Sequence, residues 1–156
     1  MALGHGDSPA SFRDPLDFKS AMAESDTDAL LAIMPFARTL GIEEVTAAPE
    51  LVTARVPWAE SRCTSFGVLH GGVLMSLADS IGAYCAVLNL PDGAATSTIE
   101  SKTNFLRAVR SGHVEARARP LHVGRTTIVV DTELYDDQGR LVGRVTQTQA
   151  VLTPQP

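Results

Sequence analysis

The chain has 156 residues, 44% hydrophobic and 20% charged, the balance of a single soluble globular domain with a core of its own. A net charge of −5 argues against general nucleic-acid binding, and two cysteines, Cys63 and Cys85, make neither a disulfide framework nor a zinc site. The opening MALGHGDSPASF has no basic stretch leading into an apolar one, and Asp79 interrupts the best candidate for a membrane span, so a cytoplasmic protein without a membrane partner is expected.

Residues 1–26 are rich in Ser, Asp, Pro and Gly and read as a tail, partly disordered or helical, with a helical turn over 18–23. Residues 27–153 are expected to form the domain. Asp26-Thr27 is placed to cap a short helix over 28–34, which Pro35 and then Gly41 stop. Residues 51–58 alternate and are β-rich, which predicts a strand, and 59–69 read as loop. From Gly71 to about Leu88, apolar residues recur at steps of three and four and cover a wide face of one long helix. Asn89-Leu90-Pro91-Asp92-Gly93 ends it.

Four strands are predicted next, over 97–109, 113–123, 126–135 and 141–152, with Asp136-Asp137-Gln138-Gly139 as a hairpin turn. One long helix among about five strands points to an α+β fold, an antiparallel sheet wrapped on a single helix. A helix apolar over so wide a face needs cover on more than one side. The sheet supplies one side, and a second subunit is a natural supplier of the other.

The segment 102–125 is locally basic, with Lys102, Arg107, Arg110, Arg117, Arg119 and Arg125 opposed only by Glu115. Arg117 and Arg119 fall on alternate positions, as on a solvated sheet face. Arg107 and Arg125 stay open as contacts for a compact anionic ligand.

His70-Gly71-Gly72 opens the long helix. Two glycines there let a substrate carbonyl approach free backbone N–H groups at the positive end of the helix dipole, where an oxyanion is steadied. The plainer reading is a turn needed for close packing. Ser76, Asp79, Ser80 and Ala83 form a narrow polar stripe along the same helix. If the stripe meets water it is ordinary. If it lines a cavity, Asp79 acquires a shifted pKa and serves as general base or nucleophile.

Gly71 and Asp79 are eight positions apart, roughly 12 Å along a straight helix. One carbonyl cannot touch the Gly71 N–H while Asp79 of the same chain acts on its carbon. If both take part, Asp79 serves a site opened by another chain's Gly71. No nucleophile elbow, phosphate-binding loop or metal-ligand spacing is present in the sequence.

Phe66-Gly67-Val68-Leu69-His70-Gly71-Gly72, followed by Leu77-Ala78-Asp79, resembles the signature of the PaaI-type hotdog-fold acyl-CoA thioesterases. Residues 98–107 resemble the family's second strand. Gly112 to Ala116, His122 to Arg125 and Asp137 to Val142 are similar to its next strand, turn and last hairpin. The resemblance spans about residues 40–152. It implies a hotdog fold, five or six antiparallel strands around the central helix, in a homodimer with shared active sites that often pairs into a tetramer. The implied reaction is hydrolysis of an acyl-CoA, with coenzyme A part of the substrate and no further cofactor.

The resemblance further implies that the Gly71 N–H polarises the thioester carbonyl and that Asp79 of the partner subunit activates water or attacks directly. His70 would shape the site, and Thr98 would orient the water. Gly72, Asn104, Phe105, Arg107 and Arg125 would contact substrate. Thr64 stands where relatives commonly carry Asn or Gln, and a hydroxyl lacks the amide's donor and acceptor pair. Ala108 replaces a common proline. The alternatives are a hotdog module that binds acyl-CoA or another acyl carrier without hydrolysing it and, more remotely, a dehydratase or hydratase, which pairs an acid with a histidine, for example one a few positions after Asp79, where none stands here. Tyr84, Met75 and Phe105 read equally as acyl-pocket lining or as core.

Overall fold

A computed structural model describes residues 26–153, so the helical turn expected over 18–23 lies outside the described residues. The elements run α1 (Asp26–Ile33), α2 (Pro35–Leu40), β1 (Glu43–Ala48), β2 (Leu51–Pro57), two 3-10 turns at Glu60–Arg62 and Ser65–Gly67, and α3 (Gly71–Leu88). Then come β3 (Ala95–Phe105), β4 (His113–Val123), β5 (Thr127–Asp136) and β6 (Leu141–Leu152). The six strands form one antiparallel sheet in the order β1-β2-β4-β5-β6-β3, and α3 packs against all of them.

The apolar steps of α3 explain its place. Leu77, Ala78, Ile81, Tyr84 and Cys85 are fully buried against Val52, Val56, Val114, Ile128, Val130 and Leu134. Each large side chain so buried contributes about 1.5–3 kcal/mol. By length and composition α3 is apolar enough to cross a membrane, and its cover by the sheet accounts for that composition. Tyr84 is core. Ser80 is also buried, so the open stripe of the helix runs through Gly72, Met75, Ser76, Asp79, Ala83 and Val87 instead.

α3, β4 and β6 have the bounds expected of them. β3 ends earlier than expected, because the N–H groups of Leu106 and Arg107 both turn to the Val142 carbonyl. The N-terminal part departs further. α1 does stop before Pro35, but Pro35 also starts a second helix, α2, where its missing N–H costs nothing. α2 closes with Gly41 at φ 74°, while Gly41 and Ile42 N–H groups return to Arg38 and Ala37 carbonyls. Asp26 and Thr27 do not act as the expected caps: their side chains accept from the N–H groups of Ala47 (2.7 Å) and Val45 (2.9 Å). Those bonds tie α1 to β1, a short edge strand with no sequence period to reveal it.

Candidate active site

At the start of α3, His70 is the N-cap, and its Nδ1 accepts from the Gly72 N–H at 2.8 Å. A neutral imidazole that accepts at Nδ1 carries its proton on Nε2, and the residue is exposed. The Val73 N–H returns to the His70 carbonyl at 2.9 Å. The Gly71 N–H makes no hydrogen bond among the described residues, so one donor of the first turn is left at the positive end of the helix. A Cβ at Gly71 would stand 3.0 Å from the ring of Phe105, an exposed side chain that would have to give by a few tenths of an ångström.

The loop before α3 is pinned by His70 N–H to Arg62 carbonyl (2.9 Å) and Leu69 N–H to Val109 carbonyl (2.8 Å). Thr64 lies on this loop with an exposed side chain. Phe66 holds φ 63°, unusual for a residue with a Cβ, and is 92% exposed. Arg110 donates to its carbonyl at 2.7 Å. Beside the helix start, Phe36, Leu40, Arg62, Cys63, His70 and Ser76 line part of a cleft of about 410 Å³.

Two turns along α3, Asp79 is half-buried. Burial raises its pKa above the ordinary Asp value, and a hydrogen bond from Thr98 partly offsets the rise. Thr98 in turn accepts from Gln149 Nε2 at 2.8 Å. Thr98 and Phe105 are an odd number of residues apart, so a regular strand would put them on opposite faces. A bulge between Thr98 and Glu100 leaves Ile99 as the extra residue and resets the alternation. Both Thr98 and Phe105 therefore face α3. Asn104, in register with Arg144, stands on the other face of the sheet.

Within one chain the expected site residues fall into two groups. His70, Gly71, Gly72, Phe105 and, two residues on, Arg107 gather at the start of α3. Asp79 and Thr98 sit about 12 Å further along the helix axis. Arg107 and Arg125 lie at opposite ends of the ten-residue β5, about 30 Å apart, so one chain cannot bring them to one phosphate group. Arg117 lies on the outer sheet face, paired with Glu115 at 2.7 Å and stacked over Tyr135. That agrees with the alternation read for it. Among the described residues no group of His, Cys, Asp and Glu could hold a metal ion.

Gln147 and Gln149 escaped notice in the sequence, because Thr146-Gln147-Thr148-Gln149 reads as polar strand alternation. Both are buried, and both face α3.

Residues 66–143, half of the chain, match the thioesterase superfamily. The chain is 35% identical over 101 residues to the proofreading thioesterase EntH of Cronobacter turicensis, covering 65% of this chain and 74% of that one. It is 36% identical over 87 residues to the 1,4-dihydroxy-2-naphthoyl-CoA hydrolase of Escherichia coli, covering 56% of this chain and 64% of that one. The crystal structure of a thioesterase from Haemophilus influenzae superposes with a TM-score of 0.76 at 31% identity, covering 80% of this chain and 89% of that one. The chain belongs to the thioesterase superfamily. It is a thioester hydrolase with the hotdog fold.

Proposed function

We propose that the substrate is an acyl-CoA and that two copies of the chain share each active site, Gly71 coming from one and Asp79 from the other. The observation that carries this reading is the separation of the two groups along α3, too long for one thioester to bridge. β3 supports it. This eleven-residue strand is bonded to β6 on one side only, and Ile99 and Phe105 on it are exposed apolar residues. An open edge of that length invites a second strand. Two β3 strands running antiparallel about a two-fold axis near their middle set the Thr98 end of one against the Phe105 end of the other.

In the assembled site the thioester carbonyl accepts from the free Gly71 N–H. Attack at the carbonyl carbon develops negative charge on that oxygen, where the donor and the helix dipole hold it. Asp79 of the partner subunit takes a proton from water as the water attacks. The C–S bond then breaks, releasing CoA thiol and a carboxylic acid. His70 presents Nε2–H beside the thioester, and Thr98 keeps Asp79 oriented. No cofactor beyond the substrate's own CoA enters the scheme. Both cysteines are free thiols, in keeping with a reducing cytosol. Association of two such dimers completes the proposed assembly.

Mixing tests the shared site. Gly71→Pro and Asp79→Asn chains, each inactive alone, are refolded together in equal amounts. Half the dimers are then mixed, each with one intact site, and about a quarter of wild-type thiol release returns. No recovery, with mixed dimers shown to form, overturns the shared site. A panel of aromatic, short, medium and long acyl-CoAs in the same assay assigns the acyl group. A single turnover in ¹⁸O-water separates the two roles of Asp79: direct hydrolysis labels the acid product, whereas carboxylate attack labels Asp79.

A further inference from the structure

A thioester carbonyl carbon carries two arms, the acyl group and the sulfur, and they leave it in different directions. Around Gly71 the structure offers two directions of different character. On the β3 side the Phe105 ring lies against Gly71, and Arg107 follows two residues on. On the other side lies the cleft of about 410 Å³. At about 100° per residue, Ser76 on the wall of the cleft stands roughly 140° round α3 from Gly71. His70 and Gly72, the two chain neighbours of Gly71, also line the cleft, so it begins where the carbonyl would sit.

The walls suit an uncharged, apolar group. Phe36 and Leu40, i and i+4 on α2, share one face toward the cleft, and Val73 lines it from α3. Arg62 is the one Lys or Arg among the lining residues, and its guanidinium is engaged: Nη1 donates to the Pro57 carbonyl at 2.6 Å. A phosphate therefore finds little to hold it. Cys63 is fixed in the wall, its Sγ donating to the Ala59 carbonyl at 3.3 Å and its N–H to the Glu60 carbonyl at 3.0 Å. The volume lies near the small end of the roughly 300–1,000 Å³ range of ligand pockets, room for one arm of the substrate and not for the whole. Leu40 belongs to the buried core, whereas Phe36 is 58% exposed and can be trimmed without opening the core.

We propose that this cleft is the acyl subsite, that it takes a compact apolar acyl group in the chain whose Gly71 receives the carbonyl, and that Phe36 sets the size it accepts. This rests on the reading of Gly71 as the carbonyl's donor. The CoA arm leaves on the side of Phe105 and Arg107.

Cys63 reports whether the cleft is filled. The chain has two cysteines, and Cys85 is fully buried with its thiol pushed up to about 11 by that burial, so iodoacetamide reads the half-buried Cys63. Wild-type protein is labelled alone, with CoA, and with the phenacyl thioether of CoA, in which a methylene between carbonyl and sulfur prevents hydrolysis. Equilibrium dialysis gives each Kd. At ten times its Kd the thioether should slow labelling by about tenfold, and CoA at ten times its own Kd by less than about twofold. Equal protection by CoA alone would put the CoA arm in the cleft, and labelling at the free rate with the thioether bound would leave the cleft empty. Either result overturns the proposal, as does a thioether that fails to bind.

Selectivity is the second measurement, and it needs no reactive thiol. Phe36→Ala should lower kcat/KM for benzoyl-CoA by roughly tenfold, chiefly through KM, and raise palmitoyl-CoA relative to it. An unchanged ratio between the two substrates overturns the proposal. Gly71→Pro is the control. If it retains full turnover, the reading of Gly71 fails; if it is inactive while the bound thioether leaves Cys63 unprotected, only the acyl subsite fails.

Discussion

The two ends of the open stripe on α3 are built from different materials. At Gly71 the chemistry rests on backbone: an N–H left over from the first helical turn, and a residue without a Cβ beneath the Phe105 ring. At Asp79 it rests on side chains: a half-buried carboxylate, Thr98 against it, and two buried glutamines from β6 behind. The first end is open, and its His70 is exposed and held by one hydrogen bond to the Gly72 N–H. The second is packed on the sheet side. A helix start can offer a donor to an anion by its own geometry. A carboxylate that must hold and release a proton needs partners brought from distant strands.

The largest effect separates the ends by function. Asp79→Asn is expected to lower kcat by about 10²–10⁴, the usual worth of a positioned base, measured as thiol release. Gly71→Pro comes next. His70 already has ψ 137°, which suits a residue before proline, and proline is at home in the first helical position. The substitution removes the free N–H while the helix start persists, so kcat should fall by about 10²–10³ with far-ultraviolet circular dichroism unchanged. Retained activity would separate Gly71 from the carbonyl.

Stability distinguishes the ends next. A Cβ on Gly82, one turn beyond Asp79, overlaps the boxed-in carboxamide of Gln147. Gly82→Ala should cost about 1–3 kcal/mol in denaturant unfolding. A Cβ on Gly72 stands 2.9 Å from His70 Nδ1, and the exposed ring can turn away. Gly72→Ala should change stability by less than about 1 kcal/mol. Equal losses would contradict the contrast between a packed end and an open one.

The smallest effect concerns pH. The folded chain holds the Asp79 proton more tightly than the unfolded chain, because burial raises the carboxyl pKa. Stability therefore falls as pH rises from the ordinary Asp range through the raised value, and above it the ionised carboxylate is carried at a net cost. Asp79→Asn should melt higher than wild type at pH 8, and the difference should fade below about pH 4. A variant that melts lower than wild type at pH 8 would mean that Asp79 is held by partners stronger than Thr98.

Much of this molecule is written in short-range patterns. The apolar period of α3 and the turn residues on either side marked its ends, and the strand alternation of β4 and β6 marked theirs. His70-Gly71-Gly72 and Asp79 stood out for the same reason, since a donor at a helix start and an acid on an apolar helix are both local features. β1 was invisible because Glu43–Ala48 is short and its register shifts between Glu43 and Thr46, and what holds it includes Asp26 and Thr27, some twenty residues away. Pro35 stops one helix in the chain order and starts another, and only the packing of α2 against α3 shows which role matters.

Local chemistry was thus enough for the helix, most strands, the hotdog resemblance and the residues that face each other in the proposed site. The sheet decided which way those residues point. The extra residue at Ile99 turns both Thr98 and Phe105 to the helix and leaves Asn104 on the far side, and the pairing of β3 with β6 puts Gln149 behind Thr98. Neither is legible along the chain, because strand parity and register depend on hydrogen bonds between segments some fifty residues apart, and one added residue reverses every face beyond it.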